Sequence, residues 1–213
     1  MLIHFAAALF AIMNPLGNLP VYIGATESAR PGERKYVAVL LALFVLVMLL
    51  IFFWAGESIL HFFGVKLSSF RIAGGILLLL GGIGMVHGKE GKKVTELADK
   101  VSEESDLRAA ENLLQKILIP VGIPLFVGPG SISTVILFAG KTPSFLSKIG
   151  MSGVIVGMAL ILWILLMVSD RVGRLLGPMG LDIAARLMGL ILAAIGVQFI
   201  IDGLSLEIVN FMN

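Results

Sequence analysis

Residues 11–22 read AIMNPLGNLPVY, which places two prolines, a glycine and two asparagines inside an otherwise apolar run. Proline has no N–H to donate, and its ring displaces the carbonyl four residues back. Pro15 therefore frees the Ala11 carbonyl and Pro20 that of Leu16. The surrounding chain makes such a break costly. Of 213 residues 58% are hydrophobic and 14% charged, and a mean hydropathy of +1.01 excludes a water-soluble domain. In hydrocarbon an unpaired backbone group is expensive, so an interrupted helix persists only where protein buries it or where it lines a polar cavity.

A crossing needs about 20 apolar residues. Six segments qualify, at roughly 2–26, 36–63, 67–88, 117–140, 149–170 and 183–206. Between the third and fourth lies a charged linker, 89–116, whose Glu96/Lys100 and Glu104/Arg108 pairs have helical i,i+4 spacing. With six crossings, the basic residues at 30–35, in the linker and at 171–186 make up twelve of the 16 Lys and Arg. Lys66, Arg71, Lys141 and Lys148 fall on the other side. The positive-inside rule then places 89–116 in the cytoplasm and both termini outside a plasma or inner membrane.

Residues 1–29 contain no Lys or Arg, so the N-terminus reads as a mature helix rather than a cleaved signal. The absence of cysteine removes disulfides and thiol chemistry. A net charge of +2, carried in loops, gives no nucleic-acid surface.

The chain also repeats. RIAGGILLLLGGIGMVHG from Arg71 aligns with RLMGLILAAIGVQFIIDG from Arg186, matching Gly74 with Gly189, Gly81 with Gly196 and Gly88 with Gly203. Similar offsets pair Pro15 with Pro129, Glu57 with Asp170 and Gly64 with Gly177. The expected fold is an all-α polytopic membrane protein of six transmembrane helices in two three-helix repeats, 1–88 and 117–213. An odd number of crossings per half makes the second repeat inverted.

The counterpart of the opening stretch is IPVGIPLFVGPGSISTVI, 119–136, so the first and fourth helices are both expected to be discontinuous. Each break starts a second half-helix, at Gly17 to Leu19 and at Gly130 to Ser133, whose free N–H groups favour an anion. The bare carbonyls that end each first half-helix favour a cation or ammonium group. A lone proline would read as a kink. Two matched breaks beside Asn14, Asn18, Ser131, Ser133 and Thr134 read as a binding site for a small zwitterion, with Gly17, Gly128 and Gly130 letting backbone approach it.

Gln198, one turn before Asp202, is a further cavity-lining candidate or a helix-to-helix hydrogen bond. No charged residue is expected at mid-depth. His4, Glu57, His61, His87, Asp170, Asp202 and Glu207 lie near helix ends as interfacial or capping groups. Gly84/Gly88, Gly153/Gly157 and Gly173/Gly177 have the small-xxx-small spacing of close helix contacts, within a protomer or between two, which leaves the oligomeric state open. No hydrolase, zinc or phosphate-loop motif is present, so no catalytic residue, metal or cofactor is expected and the chain is not read as an enzyme.

MNPLGNLPVYIGAT, IPLFVGPGSISTVI and AAIGVQFIIDG together resemble the MarC family of integral membrane proteins, over essentially the whole chain. Within that family the likeness is to small neutral amino acid transporters that move glycine and alanine. The resemblance implies six helices in two inverted repeats, and a substrate site at Asn14, Pro15, Gly17 and Asn18 with Gly128, Pro129, Gly130 and Ser131. It also implies coupling to a proton gradient; proton and sodium are the ions considered. The expectation is a secondary carrier working by alternating access near the bilayer midplane. The rivals are an aquaporin-like channel for small neutral solutes, whose half-helices fall between the second and third crossings of each half, and a non-transporting membrane scaffold.

Overall fold

The structure, a computed structural model, describes residues 1–26, 29–87, 126–142 and 144–212, without the side chains of Pro31 and 209–212. The linker 89–116, the first part of the fourth crossing with the Leu125 carbonyl that Pro129 is expected to free, and Gly88 lie outside the described residues. The rest is helical: α1 Leu2–Met13, α2 Leu19–Ala25, α3 Pro31–Phe62, α4 Leu67–Val86, α5 Pro129–Gly140, α6 Phe145–Met167 and α7 Ser169–Met212.

Within α3, α4, α6 and α7, the segments Gly32–Phe62, Leu67–Val86, Phe145–Met167 and Ser169–Ile208 are each long and apolar enough to cross a membrane. The two crossings expected to be discontinuous contribute shorter apolar helices, Leu2–Met13 and Pro129–Gly140. The chain is a multi-pass membrane protein. Its large apolar side chains face outward along α3, α6 and α7, among them Leu43, Ile51, Leu160, Ile164, Leu187 and Leu190, as a lipid-facing surface requires.

Helix ends follow local chemistry. Ser144 caps α6 by accepting the Ser147 N–H at 3.2 Å. At the end of α3 Gly64 takes φ 66°, and the N–H groups of Val65 and Gly64 return to the carbonyls of Leu60 at 2.9 Å and His61 at 3.0 Å, a Schellman-type stop. Gly177 takes φ 64°, ψ 175°, a region open essentially to glycine alone. It kinks α7 just before Pro178, so a short run, 169–176, precedes the long one. The expected boundaries at 170 and 183 are corrected accordingly: helix continues through the polar stretch, broken only at Gly177.

Two cores form. Phe5, Leu9 and Met13 of α1 join Tyr22 of α2, residues of α3 from Val37 to Phe53, Val135 of α5, and Met151 to Leu166 of α6. The rings of Phe5 and Phe138 meet at 4.9 Å between centroids, tilted by 38°.

The second body is α4 running antiparallel along α7, the most extensive helix pair among the described residues. A methyl at Gly75 would lie 2.6 Å from the Gly196 carbonyl oxygen, one at Gly82 2.5 Å from that of Gly189, and one at Gly203 2.9 Å from that of Ser68. Glycines seven residues apart on each helix thus let the backbones touch, and van der Waals contact is what binds helices in lipid. The pairs Gly153/Gly157 and Gly173/Gly177 are not this seam. Gly153 and Gly157 face open space, while Gly173 meets only Ile23 and, at the edge of contact, Leu181.

Candidate functional site

The first break is a turn, 14–18, stitched by its two asparagines. Asn14 takes φ 46°, ψ 52° and is the only described non-glycine residue with positive φ. Asparagine tolerates this left-handed conformation better than most residues. Its N–H closes α1 on the Phe10 carbonyl at 3.0 Å, its Oδ1 accepts the Gly17 N–H at 3.1 Å, and its Nδ2 donates to the Met85 sulfur at 3.6 Å. Asn18 donates from Nδ2 to the Met13 carbonyl at 3.0 Å. Both asparagines are buried.

The Asn18 N–H goes to the Asn14 carbonyl at 3.1 Å and the Leu19 N–H to that of Leu16 at 3.2 Å. This corrects the expectation of free donors at Gly17 to Leu19. All three are paired within the turn, which brings acceptors within reach where an unpaired N–H would be costly. The carbonyl that Pro20 releases is satisfied the same way.

At the second break Gly128 precedes α5 with Pro129 at its first position, where the missing N–H costs nothing. The first bond of the ladder runs from the Ile132 N–H to the Gly128 carbonyl at 3.1 Å, so the N–H groups of Gly130 and Ser131 stand ahead of it. Ser131, Ser133 and Thr134 are buried. Thr134 donates back to the Gly130 carbonyl at 2.8 Å. The Ser133 hydroxyl has no partner among the described residues.

Both breaks pack against α4. A methyl at Gly74 would meet Ser133 Oγ at 3.1 Å and the Pro129 carbonyl oxygen at 3.3 Å, and one at Gly130 would meet Leu78 at 2.5 Å. Leu78 and Met85 cluster with Ile12 and Leu192, so apolar side chains of α4 stand beside both breaks.

A cavity of about 850 Å³ opens between α2 and α7. The buried Gly17, Val21 and Met85 lie at its deep end, Gly173, Gly177 and Leu181 along its wall, and the exposed Asp170, Arg174 and Asp182 at its rim. Arg34 ties the rim together, donating from Nε to the Thr26 carbonyl at 2.7 Å and from Nη1 to Asp170. Of the expected site residues Gly17 alone lines this cavity. Asn14, Pro15 and Asn18 form the turn behind it, and Pro129, Gly130 and Ser133 pack against α4.

Gln198 bonds along its own helix. It is exposed and donates to Asp202 at 2.8 Å, and it lines neither this cavity nor the smaller one described below. Asp202 in turn pairs with Arg71 at 3.5 Å. That arginine is buried in the second turn of α4 with its guanidinium 5.8 Å from the Phe199 ring, a charge set deeper than the sequence led one to expect. Met85, Asp170, Arg174 and Asp182 were not singled out as site residues. The signal available for three of them was charge flanking the Gly177–Pro178 break.

Comparison with known proteins matches residues 1–208 to the description "MarC family integral membrane protein". The chain belongs to the MarC family. A UPF0056 membrane protein of Methanocaldococcus jannaschii is 36% identical to this MarC chain over 198 residues, 93% of each protein. Another of Escherichia coli is 34% identical over 200 residues, 94% of the MarC chain and 90% of its relative. A third, of Pyrococcus abyssi, is 35% identical over 196 residues, 92% and 90% respectively. No solved structure matches the MarC chain.

Proposed function

We propose that this chain is a secondary carrier of small neutral amino acids, glycine and alanine among them, working by alternating access around the two breaks. The observation that carries the reading is the vestibule of about 850 Å³ that runs from a rim of both charge signs to Gly17 of the first break. Its size suits a ligand site, and carboxylates beside a guanidinium suit a zwitterion. With both termini outside, it opens to the cytoplasm. Coupling to a proton or sodium gradient belongs to the same proposal.

Internal symmetry supports it. The offset that carries Pro15 to Pro129 carries Gly75 to Gly189 and Gly82 to Gly196. Under it the Gly75–Gly196 contact becomes Gly189–Gly82, the other glycine-to-glycine contact of the seam. That offset differs by one residue from the pairing of Gly74 with Gly189. Gly64 and Gly177, paired by a neighbouring offset, share φ values of 66° and 64°. Inverted three-helix repeats produce such exchanges.

One observation favours a scaffold instead: the amides of Asn14 and Asn18 are engaged in holding the turn. Uptake of labelled glycine and alanine into liposomes containing the purified protein separates the readings. The carrier gives saturable uptake with competition between the two, a channel gives flux without saturation, and a scaffold gives no flux under any imposed gradient.

A further inference from the structure

A second cavity, of about 350 Å³, lies at the far end of α3, walled by Glu57, Leu60, His61 and Gly64 together with Ile136 and Gly140 of α5. The residues at 57, 60, 61 and 64 have counterparts at the offset relating Gly64 to Gly177. Glu57 goes to Asp170, Leu60 to Gly173 and His61 to Arg174, and all four counterparts line the large vestibule. α5 forms its opposite wall as α2 does in the large one, and α2 and α5 are the half-helices that follow the two breaks. The two cavities are thus built from equivalent parts at opposite ends of the molecule, and one is less than half the volume of the other.

From this equivalence we infer that the small cavity is the second access path to the site at the breaks, closed in this state by the contact of Ile136 with Gly56. The inference rests on the carrier reading and adds to it the outer path and its latch. A Cβ at Gly56 would lie 2.4 Å from Ile136 Cγ1 and 3.6 Å from Ile136 Cβ, so α3 and α5 meet there with no room between them. Leu60 stands where the large vestibule has Gly173 and narrows the space further. Opening this path requires α5 to swing from α3 at Ile136, with Glu57 and His61 then meeting the arriving zwitterion as Asp170 and Arg174 do at the other mouth.

The chain has no cysteine, and the separation of 3.6 Å at this contact falls within the Cβ spacing of disulfides. The Gly56→Cys/Ile136→Cys double variant in liposomes is expected to lose glycine uptake at least tenfold on oxidation and to regain it on reduction. Each single variant should be indifferent to oxidant. Mass analysis establishes that the bridge has formed. Undiminished uptake through bridged protein overturns the latch while leaving the carrier intact, whereas absence of glycine and alanine flux in the wild type overturns both.

A second measurement does not depend on the double variant. Gly140→Cys, whose side chain would enter open space, should react faster with a membrane-impermeant thiol reagent when glycine is saturating from outside. Ala185→Cys, in the large vestibule, should react more slowly. Rates that glycine leaves unchanged at both positions contradict the inference.

Discussion

Gly82→Val is expected to leave little or no monodisperse protein after extraction into detergent. The first carbon of the new side chain would lie 2.5 Å from the Gly189 carbonyl oxygen and 2.6 Å from the Ala193 nitrogen, both backbone atoms that no rotamer change can move. α4 and α7 would have to part, taking with them the contacts of Gly75 with Gly196 and Ser68 with Gly203. Overpacking costs ~1–3 kcal/mol where side chains can adjust, and here they cannot. Lipid supplies no hydrophobic force to press the pair together again. Gly153→Ala, which faces open space, should elute and melt like the wild type. The check is size-exclusion elution with a thermal melt of each variant. A Gly82→Val protein that melts within a few degrees of wild type would mean the glycine seam does not hold the two helices.

Asn14→Ala should be the most damaging change at the first break. Alanine at φ 46°, ψ 52° costs ~1–2 kcal/mol in the left-handed region, and the Gly17 N–H, which donates to Asn14 Oδ1, loses its buried acceptor at a further ~1–3 kcal/mol. Asn14→Gly keeps the conformation and loses only the side-chain bonds to the Gly17 N–H and the Met85 sulfur, so it should fall between wild type and Asn14→Ala in melting temperature. Equal losses in the two variants would show that backbone conformation plays no part, and no loss in either would remove Asn14 from the turn.

The breaks were legible because proline, glycine and asparagine act within a few residues of themselves. Pro15 follows the end of one helix and Pro129 begins another wherever the chain goes, whereas the kink at Gly177 before Pro178 went unread. The glycine seam was less legible. Spacing alone pointed to Gly84/Gly88, Gly153/Gly157 and Gly173/Gly177, whereas Gly75 and Gly82 matter because α7 lies against them, and a sequence does not say which helix is its neighbour. The same limit hid Met85 and Leu78, ordinary apolar residues of α4 whose relevance comes from the breaks that pack on them.

The candidate site was half legible, for a physical reason. The residue types were right for a polar break in lipid, but Asn14 and Asn18 satisfy backbone left open by the break itself before any ligand is present. The charged rim was read only as helix ends. Its role depends on the fold bringing Asp170 and Arg174 beside α2, with Arg34 bridging Thr26 and Asp170.

Alternating access, the central claim, is tested most directly by counterflow. Liposomes loaded with a high concentration of unlabelled glycine and diluted into a trace of labelled glycine, with no ion gradient and no membrane potential, present the protein with exchange alone. A carrier that exposes one site to each side in turn accumulates label transiently above the outside concentration, and unlabelled alanine inside should drive it as well. Label that rises only to the outside concentration, at a rate indifferent to the internal load, would contradict the account and leave a channel or a leak in its place.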